Sequence, residues 1–289
     1  MYIIGITVFL GALLLGTLLY FLMIMPRMPG RPDTDYFKQW LYAHRGLHDN
    51  KSDAPENSMR AFEKAVEAGF GIELDIQLSR DRVPVVFHDF TLKRICGCPG
   101  KVSDYTWEEL SRFSLCGSGE YIPRLEDVLK MVNGRVPLIV EFKIERFDLS
   151  LCREADRLLS AYQGKYCMES FHPLGVLWYR RNRKDIVRGQ LSDGFLREGE
   201  YSGVLYFLLQ NLCFNWLGKP DFIAYNHKYP NILSRRLCHE LYKATAAAWT
   251  VKSEEELQRA RRNFDIFIFD SFLPKTDCGA RNALNGASF

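Results

Sequence analysis

Ionisable side chains cluster at the ends of predicted β-strands in the first half of the chain. They are His44, Arg45, Glu73, Asp75, His88, Glu141 and Lys143. Side chains two residues apart on a strand point to the same face, so Glu73 and Asp75 share a face, as do Glu141 and Lys143. Because polar groups inside otherwise apolar strands are costly unless they are satisfied, their convergence indicates an active site.

These residue types suit cleavage of a phosphodiester. Three carboxylates offer hard oxygen ligands for Mg²⁺ or Ca²⁺, whereas zinc sites favour thiolates and imidazoles. An arginine and a lysine offer cationic donors to a phosphate. Two histidines can act as general base and general acid near neutral pH. Together these groups predict metal-assisted phosphodiester hydrolysis.

Short β-rich runs alternate with helical patterns beyond residue 40, which is typical of a parallel sheet covered by helices. The strand candidates are Leu41–His44, Gly71–Leu78, Val83–His88, Val136–Lys143, Lys165–Phe171, Ile186–Leu191, Phe222–Tyr225, Thr245–Val251 and Phe264–Phe269. Apolar spacing predicts a helix over Ser58–Ala68. A capping box formed by Ser253 and Glu256 predicts another over Glu254–Arg262.

Nine strands are one too many for an eight-stranded barrel, and loop length resolves the difference. Only Ser79–Arg82 separates the second strand from the third, whereas a parallel crossover needs a dozen or more residues. These two strands therefore form an antiparallel hairpin, which returns His88 to the level of Glu73 and Asp75. The remaining eight strands predict an α/β fold, a (β/α)8 TIM barrel. An open doubly wound sheet is the alternative, but no glycine-rich dinucleotide turn follows the first strand.

The N-terminal residues 2–25 contain no charged side chain. A helix of this length measures roughly 36 Å, against about 30 Å for the hydrocarbon core of a bilayer. No basic residue precedes the apolar run, which favours an uncleaved transmembrane anchor over a signal peptide. Basic residues follow it, at Arg27, Arg31 and Lys38. The positive-inside rule then predicts a protein of the cell membrane with its catalytic part in the cytoplasm.

The chain is therefore divided into an anchor at 1–25, a linker at 26–40 and a barrel at 41–289. A net charge of +3 and a charged fraction of 25% exclude a disordered chain and give no support for a nucleic-acid partner. The eight cysteines form no regular framework and are predicted to be reduced. Cys96 and Cys98 resemble half of a zinc site, but no second close pair appears.

A second charge-free stretch, Gly203–Leu217, is too short to span a bilayer. It is predicted to be an outer barrel helix, or alternatively an apolar surface that dips into the membrane interface. Four histidines match no motif and are predicted to be structural or exposed: His48, His172, His227 and His239. Asp89 is predicted to form hydrogen bonds rather than to bind a metal.

Six short motifs, in order, resemble those of the glycerophosphodiester phosphodiesterase family. They are His44-Arg45-Gly46, Pro55-Glu56-Asn57-Ser58, Glu73-Leu74-Asp75, His88-Asp89, Glu141-Phe142-Lys143 and Trp249-Thr250-Val251. The similarity covers roughly residues 41–271. It implies a general acid/base pair, His44 and His88, and a divalent-cation site of Glu73, Asp75 and Glu141, for Mg²⁺ or Ca²⁺.

The resemblance also implies how substrate is held. Arg45 and Lys143 would bind the phosphate, and Phe171 and Trp249 would line the glycerol side of the pocket. Glu56 would support the site from behind. The substrate implied is a glycerophosphodiester or a lysolipid-derived molecule, and the expected products are sn-glycerol 3-phosphate and an alcohol.

The sequence departs from the family at two places near the expected pocket mouth. Lys252 follows the Trp-Thr-Val motif where Asn is usual, and the last strand ends Phe269-Asp270-Ser271 where Thr-Asp is usual. These changes bear on alcohol specificity. The competing interpretations are a phospholipase D-like enzyme or cyclising lyase acting on lysophospholipids, and an inactive membrane-tethered binding module.

Overall fold

The computed structural model describes residues 2–199 and 201–275, so the end of the predicted barrel range, residues 276–289 with Cys278, lies outside the described residues. Within the described part, nine strands form one sheet. They are β1 (Leu41–His44), β2 (Gly71–Leu78), β3 (Pro84–Val86), β4 (Leu138–Phe142), β5 (Tyr166–Ser170), β6 (Arg188–Ser192), β7 (Phe222–Asn226), β8 (Thr245–Val251) and β9 (Ile266–Phe269).

Helices separate most of the strands. They are α1 (Tyr2–Ile24), α2 (Asp35–Lys38), α3 (Met59–Glu67), α4 (Lys93–Cys96), α5 (Trp107–Leu110), α6 (Leu125–Val132), α7 (Ser150–Leu159), α8 (Pro173–Asn182), α9 (Phe195–Glu198), α10 (Val204–Gln210), α11 (Asn215–Gly218), α12 (Leu233–Arg236) and α13 (Glu254–Ala260). A 3₁₀ turn, Val102–Asp104, precedes α5, and a π-helical turn, Leu237–Leu241, continues α12.

Eight strands run parallel and close into a barrel, because β1 pairs with β9 on one side and with β2 on the other. β3 pairs antiparallel with β2, with Ile76 opposite Val86. The predicted TIM barrel is confirmed, and so is its additional hairpin. Closure of the sheet rules out the open doubly wound alternative.

Apolar side chains pack on both faces of the barrel sheet. Between the strands and the surrounding helices, Phe62, Leu74 and Val128 are fully buried. Inside the barrel, Tyr42 and Phe37 pack in a second cluster near the end where the strands begin. Burying each large apolar side chain contributes roughly 1.5–3 kcal/mol. This packing stabilises the scaffold and leaves the opposite end of the barrel able to carry polar groups.

Local sequence determines where two of the helices begin. The Ser58 hydroxyl accepts a hydrogen bond from the Ala61 N–H at 3.1 Å and caps α3. Ser253 caps α13 in the same way, accepting from the Glu256 N–H at 3.2 Å. The predicted capping box is only half formed, because the Glu256 carboxylate accepts from the Lys252 N–H instead.

Helix α1 is long and apolar enough to cross a membrane, with a mean hydropathy of 2.3 over its most apolar window. A membrane span and a signal sequence share these properties. The C-terminal end of α1 and the residue after it are attached to the barrel: the Asn215 amide donates to the Ile24 carbonyl at 2.9 Å, and Lys219 Nζ donates to the Met25 carbonyl at 3.1 Å. Ile24 is fully buried.

The charge-free stretch Gly203–Leu217 forms two short helices, α10 and α11, rather than the predicted single outer helix. Leu212 lies between them with a φ of +56°, in the left-handed region that no continuous helix allows. The break lets α10 lie beside the end of β6, where the Ser192 hydroxyl donates to the Leu209 carbonyl, while α11 packs against α8 and α1.

Candidate active site

Three buried carboxylates meet at the end of the barrel where the strands finish. Glu73 and Asp75 come from β2 and Glu141 from β4, and the strand register pairs Asp75 with Glu141. One oxygen of each carboxylate lies within 4.8 Å of the others. The structure therefore brings together the three residues that the sequence predicts as metal ligands.

The charge in this cluster suits a divalent cation. Burial, and then the charges of Asp75 and Glu141, raise the pKa of Glu73 well above its ordinary value. Burial also raises the pKa of Glu141. Within the described residues the buried Oδ1 atom of Asp75 accepts no hydrogen bond, and its neighbour there is the ammonium group of Lys143, 3.1 Å away. A divalent cation would relieve the repulsion among the three carboxylates, so the donor set fits Mg²⁺ or Ca²⁺.

Lys143 lies against the same carboxylates. Its Nζ atom is 2.8 Å from Glu141 Oε1 and 3.1 Å from Asp75 Oδ1. Burial works against its charge, but Asp75 and Glu141 outweigh burial and raise the pKa of Lys143 above its usual range. The lysine is therefore a fixed cation at the rim of the carboxylate cluster.

Arg45 follows β1 in the left-handed region, with a φ of +55°. This turn directs its N–H to Glu73 Oε2 at 3.0 Å, and its guanidinium donates to Glu56 Oε1 at 2.7 Å. Its Nε lies 3.4 Å from Asp75 Oδ2. Arg45 is thus placed as a second cation beside the cluster, as the sequence predicts.

Glu56 is buried behind Arg45, in the supporting position that the sequence predicts. Arg94 binds both of its oxygens at 2.8 Å, and the Asn50 amide donates to one of them at 2.8 Å. Burial opposes ionisation, but the hydrogen bond from Arg94 and the charge of Arg45 outweigh it and lower the pKa of Glu56 to about 2. Sequence reasoning missed Arg94, because only the fold carries it to this carboxylate.

His88 lies on the loop after β3, and its backbone is tied to β2. The Gln77 amide donates to the carbonyls of Phe87, His88 and Asp89 at 2.8, 3.1 and 2.7 Å. Asp89 Oδ1 lies 2.6 Å from His88 Nδ1 and also binds Arg94, so Asp89 forms hydrogen bonds as predicted. Burial opposes ionisation of Asp75, but Lys143 and then the nearby His88 outweigh burial and hold the pKa of Asp75 well below its ordinary value.

His44 is paired with a carboxylate that sequence reasoning did not assign. Its Nδ1 atom lies 3.2 Å from Asp270 Oδ2, and His48 Nε2 lies 3.3 Å from Asp270 Oδ1. Burial lowers the pKa of His44 to about 4, although Asp270 partly offsets this. Burial opposes ionisation of Asp270, but hydrogen bonds to His44 and His48 keep its pKa well below the ordinary value. His48 therefore contacts the carboxylate that holds His44, and its assignment as a structural or exposed histidine stays a prediction.

Glu169 is a fourth carboxylate that the sequence reasoning missed. It lies on β5 beside Glu141 in the strand register, and it is buried. Burial and the charge of Glu141 raise its pKa well above the ordinary value. The sequence does carry a signal for Glu169: like Glu141, it is a carboxylate within an otherwise apolar strand, which indicates a buried functional group.

Phe171 lies beside Lys143, and Trp249 packs against Phe171. Its Nζ atom is 5.9 Å from the centre of the Phe171 ring, and Trp249 meets the same ring edge-on with centres 5.5 Å apart. Phe171 lines a cavity next to the carboxylates, in agreement with its predicted position. The buried Trp249 Nε1 atom has no hydrogen-bond partner within the described residues.

Comparison with known sequences gives one family match and partial alignments to individual relatives. The glycerophosphoryl diester phosphodiesterase family matches residues 44–272. A glycerophosphodiester phosphodiesterase of Bacillus altitudinis is 40% identical over 112 residues, which cover 36% of this chain and 44% of the relative. One of Caldanaerobacter subterraneus is 40% identical over 114 residues, covering 37% and 46%. The chain therefore spans about half the length of the curated relatives that it matches.

Solved structures share the same barrel. A phosphodiesterase of Oleispira antarctica, solved in complex with the product sn-glycerol-3-phosphate, has a TM-score of 0.64 at 20% identity and covers 80% of this chain and 92% of its own. A glycerophosphodiester phosphodiesterase of Thermotoga maritima has a TM-score of 0.59 at 25% identity, covering 79% and 93%. These likenesses agree with the fold derived above.

Proposed function

Because the chain belongs to the glycerophosphoryl diester phosphodiesterase family, we propose that it hydrolyses glycerophosphodiesters to sn-glycerol 3-phosphate and an alcohol. The observation that carries the proposal is the meeting of His44, His88 and the carboxylates Glu73, Asp75 and Glu141 at one end of the barrel. A related solved phosphodiesterase binds sn-glycerol-3-phosphate as its product.

His44 serves as the general base. With a pKa of about 4, its ring is neutral at pH 7 and can accept a proton. Asp270 holds Nδ1, which leaves Nε2 to take the proton from the nucleophile. That nucleophile is water or the free glycerol hydroxyl next to the phosphate. Asp270 also stabilises the imidazolium that forms.

His88 serves as the general acid, donating a proton to the oxygen of the leaving alcohol. Asp89 holds its Nδ1 atom, so the opposite ring nitrogen faces the substrate. Lys143 and Arg45 bind the phosphate oxygens, and their charges oppose the negative charge that develops there. Mg²⁺ or Ca²⁺ held by Glu73, Asp75 and Glu141 would supply Lewis-acid stabilisation of the same charge.

A substrate panel tests this proposal. The full chain in detergent is incubated with glycerophosphocholine, glycerophosphoethanolamine or glycerophosphoglycerol, with Mg²⁺, Ca²⁺ or a chelator. Free sn-glycerol 3-phosphate that forms only with metal is the expected product. A cyclic phosphate that persists would support the lyase, and no turnover of any substrate would support the inactive binding module.

We also propose that α1 anchors the protein in the cell membrane with the barrel in the cytoplasm, because the basic residues Arg27, Arg31 and Lys38 follow the helix. Cys116 is exposed on the barrel and reports on this topology. A membrane-impermeant maleimide should label it in inverted vesicles and spare it in intact cells. Labelling in intact cells would reverse the orientation.

A further inference from the structure

A basic pocket of about 340 Å³ lies at the end of the barrel where the strands begin, opposite the active site. The linker that follows α1 forms one wall, and the segments that lead into β6 and β7 form the other. Five of its nine lining residues are cations: Arg27, Arg180, Lys184, Arg188 and Lys219. No acidic residue of the described part of the chain lines it. A pocket with this lining is suited to an anion.

Arg188 is the buried cation of the pocket. It is the first residue of β6, and it is only 2% exposed. Its Nε atom donates to the Gly218 carbonyl at 3.0 Å, but its buried Nη1 atom has no hydrogen-bond partner within the described residues. Asp221 Oδ2 lies 3.8 Å from Nη1, which is beyond hydrogen-bond distance. Because an unsatisfied buried donor with a charge is costly, Arg188 favours a further acceptor.

The other cations of the pocket have few carboxylate partners. Asp221 Oδ1 lies 3.6 Å from Arg27 Nη1, and this is the one ion pair that any of them forms within residues 2–199 and 201–275. Arg180 and Lys219 donate to backbone carbonyls instead, and Lys184 is exposed. The pocket therefore keeps a large excess of positive charge.

These positive charges repel one another. Burial lowers the pKa of Arg188 to about 10, although Asp221 opposes this. The charges of Arg27 and Arg180 contribute to the lowering. Burial, and then the charge of Arg180, likewise lower the pKa of Lys219. An anion between these side chains would relieve the repulsion, as a cation would relieve it among the carboxylates at the other end of the barrel.

We propose that this basic pocket binds a terminal phosphate group, as found in a phosphate monoester. Such a group carries roughly 1.5–2 negative charges at pH 7 and offers three strong acceptor oxygens. Arginine donates two parallel N–H groups to a phosphate, and lysine binds it as a point charge. The volume of about 340 Å³ is enough for one small ligand. The site lies apart from the reacting groups, so the inference goes beyond the proposed function and does not depend on it.

Two sources supply such a phosphate: a free molecule, and the headgroup of a lipid beside α1. Counted from Tyr2, a hydrocarbon core of about 30 Å ends near residue 22, and a headgroup layer of roughly 5–7 Å reaches about residue 26. The pocket begins at Met25. In a bilayer spanned by α1, a lipid headgroup therefore lies at the level of the pocket.

Thermal unfolding of the full chain in phosphatidylcholine nanodiscs tests the inference. One sample receives inorganic phosphate, and another contains phosphatidate, a lipid whose headgroup is a phosphate monoester. A chelator in every sample prevents a metal ion from drawing phosphate to the active site. A ligand at roughly ten times its Kd raises Tm by about 3–6 °C for a domain of this size. We expect a rise of this size from at least one of the two sources.

Two double variants that lose the same charge separate the pocket from general electrostatic attraction. K184Q/K219Q removes two cations that line the pocket, and K165Q/R181Q removes two exposed cations at the same end of the barrel that do not line it. None of the four side chains is buried, and the Tm of each variant without phosphate reports on its folding. K184Q/K219Q should need at least about tenfold more phosphate or phosphatidate for the same rise. K165Q/R181Q should behave as wild type.

Each result decides one point. A rise with inorganic phosphate that K184Q/K219Q loses assigns the pocket to a free phosphate, and a rise with phosphatidate alone assigns it to a lipid headgroup. No rise from either source, or the same behaviour in both double variants, would overturn the inference. Neither result bears on hydrolysis, which the substrate panel tests separately.

Discussion

The Nδ1 atom of His44 lies 3.2 Å from Oδ2 of Asp270, although 226 residues separate the two along the chain. They meet because closure of the barrel makes β1 and β9 neighbours. His48 approaches the other oxygen of Asp270 at 3.3 Å. A carboxylate in this position fixes the ring of the proposed general base and stabilises its protonated form.

Replacing Asp270 with Asn should therefore lower kcat/KM by about 10²-fold. His44 accepts a proton only when neutral, and its lowered pKa of about 4 keeps it neutral above that pH. At saturating metal, which keeps Glu73 and Glu141 ionised, wild-type activity should thus persist as the pH falls through 6.5 and decline only near the lower value. The Asp270 hydrogen bond raises the pKa of His44, so its loss in D270N should move this decline to still lower pH. A pH profile of kcat/KM measures both effects.

Asp265 provides a matched control, since it also lies beside a histidine, with Oδ2 3.6 Å from His239 Nδ1, but not in the site. D265N should keep wild-type activity and its pH dependence. A wild-type profile that declines around pH 6.5, or equal losses in D265N and D270N, would contradict the role given to Asp270.

Metal binding should stabilise the protein through the carboxylate cluster. Metal at about 100 times its Kd contributes roughly 2.7 kcal/mol, which raises Tm by roughly 5–10 °C for a domain of this size. E73Q should lose this rise. Its Tm without metal should stay close to wild type, because burial and neighbouring charges already favour the protonated form of Glu73. Thermal scans with Ca²⁺, Mg²⁺ and chelator measure this.

Glu169 is the comparison for that experiment. It is buried near the cluster but is absent from the group of oxygens within 4.8 Å. E169Q should retain the metal-dependent rise in Tm. If E169Q lost the metal-dependent rise in Tm and E73Q kept it, the metal would bind at Glu169 on β5 and not at Glu73.

The ion pairs of Glu56 with Arg45 and Arg94 should make the free energy of unfolding depend on pH. Its pKa is about 2 in the folded chain against an ordinary 4.5. Because the folded-state pKa is lowered, the stabilisation is complete above about pH 4.5 and is lost as the pH falls toward 2. The free energy of unfolding should be about 2 kcal/mol smaller at pH 3 than at pH 7 through this group, and E56Q should lack that difference. Urea unfolding at the two pH values measures it.

Glu126 is the control for the buried Glu56 ion pairs, because it forms an exposed ion pair with Lys130 at 2.6 Å. An exposed pair contributes little, so E126Q should retain the pH dependence of wild type. An equal pH dependence of unfolding in E56Q and E126Q would contradict the contribution assigned to the Glu56 ion pairs.

The strand pattern was sufficient to predict the fold. The bounds of β1, β2 and β8 agree with the sequence prediction residue by residue, since each apolar run is bounded by turn residues. The hairpin followed from a loop too short for a parallel crossover. Strand β7 is one residue longer than predicted, and the other remaining strands are one to three residues shorter, as expected where strand ends fray into polar loops.

The part of the site that the sequence did not predict depends on contacts made only after the barrel closes. Asp270 and His48 reach each other across the junction of β1 and β9, and Arg94 reaches Glu56 from α4. Glu169 is different, because a glutamate in an apolar strand was visible in the sequence. Contacts between residues far apart in the chain leave no pattern in the local sequence, whereas a charged residue within an apolar strand does.

The most direct test of the account follows the phosphorus atom. ³¹P NMR of glycerophosphocholine with the full chain and Mg²⁺ or Ca²⁺ should show the diester resonance replaced by that of sn-glycerol 3-phosphate. H44A should slow this conversion by about 10³-fold. H239A, which changes a histidine outside the site, should not slow it. Conversion by H44A at the wild-type rate, or a wild-type protein that leaves the diester intact with both metals, would contradict the account.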